Sequence, residues 1–207
     1  MRLLLNTVIA VLAMVVGTLG VSASQPSGHF GVISDIHFDP FEPAELAKDL
    51  QATDLKDWGS RLAAFSAPSA VQRGRDTTSA LLLSALAAIA EEMATADFVL
   101  FAGDFLGHRF DAYKSGQAVG IEPPGGPSSF AQKTVLFLIG ALREALPGKP
   151  IILALGNNDS DCGDYAIQPR GAFLATISEA VKAASGAGNV SADFSATYGA
   201  GGYYEVR

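Results

Sequence analysis

Three short apolar runs, each followed at once by polar residues, constrain the fold of this chain more than any other feature of its sequence. The runs are long enough for β-strands and occupy Phe30–Ser34, Phe98–Ala102 and Ile151–Leu155. The polar residues that follow them are Asp35-Ile36-His37, Gly103-Asp104 and Gly156-Asn157-Asn158-Asp159. Because open α/β sheets bind ligands outside the carboxyl ends of their strands, the pattern predicts one sheet edge that carries all of these polar side chains.

Helical patterns separate the three predicted strands. We predict helices over Ala44–Leu50, over Trp58–Phe65, from a cap at Asp76 or Thr77 to about Ala94, over Phe130–Leu146 and over Ala172–Ala184. The resulting βαβαβ order predicts an α/β fold with a mostly parallel sheet and right-handed crossovers.

Three further expectations concern single segments. The near-continuous apolar character of Phe98–Ala102 predicts a strand buried on both faces. Residues 113–129 are rich in glycine, proline and serine and are predicted to form a loop. We also expect a terminal strand over Tyr203–Val206.

The charge balance weighs against one class of partner. The chain has 14 basic and 21 acidic residues, a formal net charge of −7, and no run of lysine or arginine. Nucleic-acid binding depends on clustered positive charge, so we expect no nucleic-acid partner.

The first residues predict export. Arg2 precedes a mostly apolar stretch over Leu3–Leu19, and Val21-Ser22-Ala23 offers small residues at a cleavage site. We therefore divide the chain into a signal peptide (1–23), a linker (24–29) and a domain (30–207), and expect a secreted or periplasmic protein. The alternative is an uncleaved membrane anchor. The single cysteine, Cys162, excludes a disulfide within the chain.

The residues at the strand ends are those that bind metal ions. Asp35 and His37 alternate along a predicted extended segment, so both side chains would project to one side and hold one cation. Gly103 permits a sharp turn that brings the Asp104 carboxylate close to a ligand, where it could bridge two ions about 3.5–4 Å apart. Asn157 adds an amide oxygen.

Taken together, these clusters resemble the calcineurin-like metallophosphoesterase family. The segments 103–108, 158–165 and 201–204 look closer still to its acid sphingomyelinase-like branch. The resemblance implies two divalent metal ions, with zinc as the first choice and manganese, iron or magnesium as alternatives. Asp35 and His37 would bind the first ion, Asp104 would bridge, and Asn157 would bind the second. It also implies that the chain forms one half of an αββα-type sandwich.

Two departures from the family pattern matter. Asn158 stands where the family usually has a histidine, and asparagine has no proton to donate near neutral pH. The acid role would therefore pass to His108. The family also completes its site with three further histidines, whereas this chain has 3 in total and none after Asn157. The resemblance thus predicts an incomplete site for two metal ions.

The expected function is metal-dependent hydrolysis of a phosphoester, of the sphingomyelin phosphodiesterase type and with a phospholipid as one candidate substrate. The chain would be the N-terminal portion of such an enzyme, and its missing C-terminal half would lie in the same or an adjacent reading frame. The alternative is an inactive remnant or fragment that keeps the fold as a binding or structural protein.

Overall fold

The computed structural model describes residues 27–65, 74–110 and 130–207. The predicted signal peptide (1–23), the first linker residues and the predicted loop (113–129) lie outside these ranges. The elements along the described chain are β1 (Phe30–Ile33), α1 (Ala44–Ala52), a 3-10 turn (Leu55–Asp57), α2 (Trp58–Phe65), α3 (Ser79–Glu92), β2 (Phe98–Phe101), α4 (Phe130–Ala145), β3 (Ile151–Leu153), α5 (Ala172–Ala184) and α6 (Phe194–Gly201). Within these ranges, no helix is both long and apolar enough to span a membrane.

The strands form one parallel sheet in the order β1-β2-β3. Val32 is level with Leu100 on the neighbouring strand, and Phe101 is level with Leu153 on the next. This confirms the predicted α/β fold, and it brings the three strand ends to one edge of the sheet.

One face of the sheet belongs to the hydrophobic core. The strand residues that are buried on this face are Val99, Phe101, Ile151 and Leu153. They lie in one cluster with helical residues that include Leu82 of α3, Leu138 of α4 and Ile177 of α5. Burial of this apolar surface stabilises the sheet at roughly 25 cal/mol per Å².

The opposite face of the sheet, which we call the open face, is not buried by the described residues. It carries Phe30 and Val32, which are 55% and 58% exposed, and the half-buried side chains of Phe98, Leu100 and Ile152. The rings of Phe30 and Phe98 stack on this face with their centroids 5.2 Å apart. The prediction that the second strand is buried on both faces was therefore wrong.

Helix α3 begins later than predicted. Its N-cap is Thr78, whose hydroxyl accepts a hydrogen bond from the Leu81 N–H at 3.4 Å. Asp76 cannot serve as the cap because its carboxylate binds His108, and the backbone of Thr77 pairs with Phe38 instead.

The predicted terminal strand was also wrong. Helix α6 occupies Phe194–Gly201, and the residues after it form only a single antiparallel bridge, between Val190 and Val206. The reason lies at the edge of β3, where the Tyr204 hydroxyl donates to the Leu153 carbonyl (3.0 Å) and accepts from the Leu153 N–H (2.8 Å). A side chain thus satisfies the backbone groups that a further strand would have paired.

Candidate metal centre

The three predicted clusters meet at the carboxyl edge of the sheet. The His37 Nε2 atom lies 3.4 Å from Asp35 Oδ1 and 3.8 Å from Asp104 Oδ2. One ligand atom from each of these side chains lies within 4.8 Å of the others. This spacing lets a single divalent cation contact all three side chains after small rotations of the side chains.

The backbone at this edge is not extended, contrary to our prediction. Asp35, His37 and Asp104 all have positive φ values, of 58°, 46° and 62°. Two hydrogen bonds hold the first loop on the second: the Asp35 N–H donates to the Gly103 carbonyl at 3.0 Å, and the His37 N–H donates to the Asp104 carbonyl at 2.9 Å. Left-handed conformations of residues other than glycine are unfavourable and concentrate at functional sites, which supports a binding role for this edge.

Asp159, to which the sequence analysis gave no role, joins the second and third loops. Its buried carboxylate accepts hydrogen bonds from the backbone N–H groups of Asp104 (2.8 Å), Gly156 (2.9 Å) and Leu106 (3.0 Å). Burial, together with the nearby charge of Asp104, raises the pKa of Asp159 to about 6, although the three backbone donors act in the opposite direction. At neutral pH the carboxylate is therefore largely ionised and holds both loops in place.

The two asparagines of the third loop lie in different environments. Asn158 is buried; its backbone N–H donates to Asp104 Oδ1 at 3.0 Å, and its Nδ2 atom lies 3.5 Å from His37 Nδ1. Asn157 is exposed, and its amide donates to Asn158 Oδ1 at 3.1 Å. Asn158 therefore contacts two of the candidate ligands directly, and Asn157 lies beside it on the same loop.

His108 lies against the candidate ligands. Its ring stacks on that of His37, with the centroids 4.4 Å apart and the planes inclined by 6°. Its Nδ1 atom is 2.7 Å from Asp76 Oδ1, a partner that the sequence analysis did not find. The interaction spans 32 residues, so no local motif reveals it.

His37, Asp76 and His108 form a second group whose ligand atoms lie within 4.8 Å of one another. The lone pairs of imidazole nitrogens lie in the ring plane, and in two stacked parallel rings they run side by side instead of converging. The two histidines therefore do not bind a common ion in this arrangement. His108 lies beside the candidate metal ligands as a separate group.

A cleft of about 500 Å³ opens beside His108. Its walls carry both signs of charge and consist of Asp39, Glu42, Gly74, Arg75, Asp76, His108 and Arg109. Arg75 and Glu42 form an ion pair across it, with the nitrogen and oxygen 3.0 Å apart. The cleft gives the organic part of a ligand space next to the His108 ring.

One further histidine and the single cysteine of the chain lie outside these groups. His29 is exposed, and its backbone N–H donates to Asp97 Oδ2 at 2.9 Å. Cys162 is an exposed free thiol whose Sγ atom lies 3.5 Å from Asp161 Oδ1.

The donor set fits one divalent cation. Two carboxylates and an imidazole are ligands that zinc, manganese and iron accept, with water in the open positions. A second ion would find only the Asp104 carboxylate and the Asn157 amide among the candidate ligands. The described residues therefore provide a much more complete set of ligands for one ion than for two.

Comparison with known proteins agrees with this geometry. No curated protein sequence matches the chain. The sequence profile of the calcineurin-like phosphoesterase family matches residues 28–203, a span that contains β1, β2, β3 and all three strand-end clusters. Metal ions and phosphoester substrates are general features of that family, and the grouped ligand-type side chains at the sheet edge suit both. The chain belongs to the calcineurin-like phosphoesterase family.

Proposed function

We propose that this protein is a metal-dependent phosphodiesterase of the acid sphingomyelinase-like type. The observation that carries the proposal is the convergence of Asp35, His37 and Asp104 at the sheet edge, with the His108 ring stacked on one of them. The segments 103–108 and 158–165, which resemble that branch, support the finer assignment of substrate class.

The candidate ligands take separate roles in this proposal. Asp35 and His37 would hold the first ion, Asp104 would be shared between the two ions, and Asn157 would offer its amide oxygen to the second. When bound, such ions lower the pKa of a coordinated water and offset the negative charge on the phosphate oxygens. Zinc is the first choice, with manganese, iron and magnesium as alternatives.

His108 and Asn158 act on the substrate directly. Imidazole is the side chain that most often serves as a general acid in enzymes, so His108 can protonate the oxygen of the leaving group. Asn158 can donate a hydrogen bond to a phosphate oxygen but cannot supply a proton. The cleft beside His108 receives the leaving group, and a phospholipid such as sphingomyelin is the candidate substrate.

The test is turnover of a chromogenic phosphodiester by the purified chain with added zinc or manganese. We expect Asp104→Asn to lower the rate by at least about 100-fold, because a neutral amide binds a cation far more weakly than a carboxylate does. Calorimetric titration of the same variant with zinc should show a matching loss of affinity.

Asp57→Asn is the matched control, since this carboxylate lies in the 3-10 turn before α2, outside both ligand groups. Its rate should equal that of the unmodified chain. Equal turnover by Asp104→Asn would contradict the metal assignment. Cleavage of sphingomyelin in vesicles, compared with that of a water-soluble phosphodiester, tests the finer substrate proposal.

We also propose that a second polypeptide segment completes the site: the C-terminal half of the domain, encoded in the same or an adjacent reading frame. Two observations support it. The described residues offer the candidate second ion only the Asp104 carboxylate and the Asn157 amide, and they leave large apolar side chains exposed on the open face, of which Val32 is 58% exposed. Parallel sheets are normally covered on both faces, and an exposed apolar surface of this kind marks a binding surface.

Co-expression of the chain with the segment encoded immediately downstream tests this proposal. Metal analysis should then show an increase from about one to about two ions per complex, as a site with two metals requires. Val32→Glu should prevent the association, because the second segment would have to bury the new carboxylate without an opposite charge or hydrogen-bond donor to compensate it. Two ions and full turnover in the chain alone would show that no partner is needed. No metal and no turnover with or without the segment would favour the alternative, an inactive remnant with a binding or structural role.

We further propose that residues 1–23 direct export and are then removed. The charged Arg2, the apolar stretch after it and the small residues that end at Ala23 support this. N-terminal sequencing of the exported protein should find Ser24 first. An intact Met1 would favour the membrane-anchor alternative.

A further inference from the structure

We propose that Asp76 is a positioning residue for His108: its carboxylate fixes the ring orientation and keeps the proton on Nδ1, so that Nε2 is the nitrogen that exchanges a proton with the substrate. The catalytic part of this inference rests on the proposed role of His108 as proton donor, in which its imidazolium gives the proton on Nε2 to the leaving oxygen and keeps the proton on Nδ1. The structural part, the effect of Asp76 on the tautomer, does not depend on that role.

Both carboxylate oxygens of Asp76 bind His108. Oδ1 is 2.7 Å from the ring atom Nδ1, and Oδ2 accepts the backbone N–H of the same residue at 2.9 Å. The Asp76 side chain is only 13% exposed, whereas that of His108 is 64% exposed. A mostly buried carboxylate therefore holds, through both of its oxygens, a histidine that is itself open to a ligand.

The distance of 2.7 Å has a chemical consequence. Two acceptors cannot approach each other so closely without a hydrogen between them, and an ionised carboxylate has no hydrogen to donate. We assign the hydrogen to Nδ1 of His108, which donates it to the ionised carboxylate of Asp76. Free imidazole side chains have a choice of tautomer, and this contact removes it.

The surroundings of Asp76 show how the fold holds it beside the candidate metal centre. The next residue, Thr77, donates its N–H to the His37 carbonyl at 2.8 Å, so Asp76 is tied to the loop that carries a candidate ligand. Gly107 leaves room for the carboxylate, because a Cβ at that position would lie 2.8 Å from Asp76 Oδ2. The placement thus depends on one hydrogen bond and one glycine that lie far apart in the sequence.

A role for Asp76 as a metal ligand fits less well. Its two oxygens already bind His108, and the near-parallel rings of His37 and His108 do not direct their lone pairs to one point. The arrangement matches a carboxylate–imidazole pair such as that of serine proteases, where the carboxylate holds the imidazole in the correct tautomer and orientation.

NMR of the ring nitrogens tests the inference without any need for turnover. The chain has only 3 histidines, so ¹⁵N-histidine labelling gives few signals, and His108→Gln assigns the relevant one. In the metal-free protein at pH 8, the unmodified chain should show the Nδ1–H form of His108. Asp76→Asn and Asp76→Ala should shift the population toward the Nε2–H form, as replacement of the corresponding aspartate does in serine proteases.

Gly107→Ala is a second variant, since it retains the carboxylate but pushes it from its position. It should produce a smaller shift in the same direction. Asp164→Asn is the matched control: within the described part of the chain, its carboxylate accepts one hydrogen bond, from the backbone N–H of Arg109, the residue after His108, at 3.4 Å. It should leave the His108 signals unchanged.

An Nδ1–H signal that persists in both Asp76 variants would overturn the positioning role. A loss of zinc affinity in Asp76→Ala as large as in His37→Ala would overturn it too, since Asp76 would then be a ligand. For the catalytic part, kcat in Asp76→Asn should fall by about 100-fold with KM nearly unchanged. If the unmodified chain shows no turnover with or without the downstream segment, the proposed function fails while the NMR result still decides the role of Asp76.

Discussion

Asp159→Asn should lower the free energy of unfolding by about 3–4 kcal/mol, one of the two largest effects that we expect in this protein. The carboxylate of Asp159 accepts backbone N–H groups from Asp104, Leu106 and Gly156, two of them on Oδ2. An asparagine retains one acceptor oxygen and turns an NH₂ group toward the remaining donors. Each buried donor that loses its acceptor costs about 1–3 kcal/mol, and the loops that carry the candidate ligands lose their common anchor.

Urea unfolding at pH 7.5 measures this change. Asp57→Asn, an exposed carboxylate, should remain within about 0.5 kcal/mol of the unmodified chain. The zinc affinity of Asp159→Asn should also fall, because the Asp104 backbone is no longer held in its left-handed conformation. A loss of stability below about 1 kcal/mol would show that the loops keep their shape without this carboxylate.

Gly103→Ala should be at least as damaging, with a loss of more than about 3 kcal/mol. Gly103 has a φ of +103°, a conformation that a residue with a side chain rarely adopts. Its Cβ would also lie 2.8 Å from the Leu155 carbonyl carbon and 2.6 Å from the Gly156 Cα. These are backbone atoms at the end of β3, so the strain cannot be relieved by rotation of a side chain.

Gly140→Ala is the matched control for that substitution. Gly140 lies within helix α4, and a Cβ there meets nothing within 4 Å. Alanine is the better helix former by about 0.5–1 kcal/mol, so this variant should be slightly more stable than the unmodified chain. Circular dichroism melting curves compare the two variants directly. A Gly103→Ala protein with the same melting temperature as the unmodified chain would contradict the close approach of the two loops.

The sequence was most informative where the chemistry is local. Apolar runs and helical periodicity predicted the three strands of the described sheet and helices around Trp58–Phe65 and near Ala172–Ala184, where the structure has them. The residues after each strand predicted which side chains share an edge, because parallel strands must end on the same side. The terminal Tyr203–Val206 segment was misjudged, since its alternating pattern says nothing about the Tyr204 hydroxyl that blocks the edge of β3.

The contacts that shape the site could not be predicted from local sequence patterns. Asp76 reaches His108 across 32 residues, and Asp159 reaches Asp104 across 55. A carboxylate in a sequence has no visible partner when that partner is distant, and Asp76 therefore looked like a helix cap. The left-handed conformations of Asp35 and His37 arise in the same way, from hydrogen bonds to the loop after β2.

The amino-acid sequence thus determined the class of fold, the family, and the side chains available at the sheet edge, because strand periodicity and ligand type are properties of neighbouring residues. The tertiary structure decided how those side chains are arranged: Asp159 holds the loops together, Asp76 holds His108, and the described residues leave one face of the sheet uncovered. These features depend on distances between segments far apart in the chain. Such distances are set by the packing of the whole core, which no local pattern encodes.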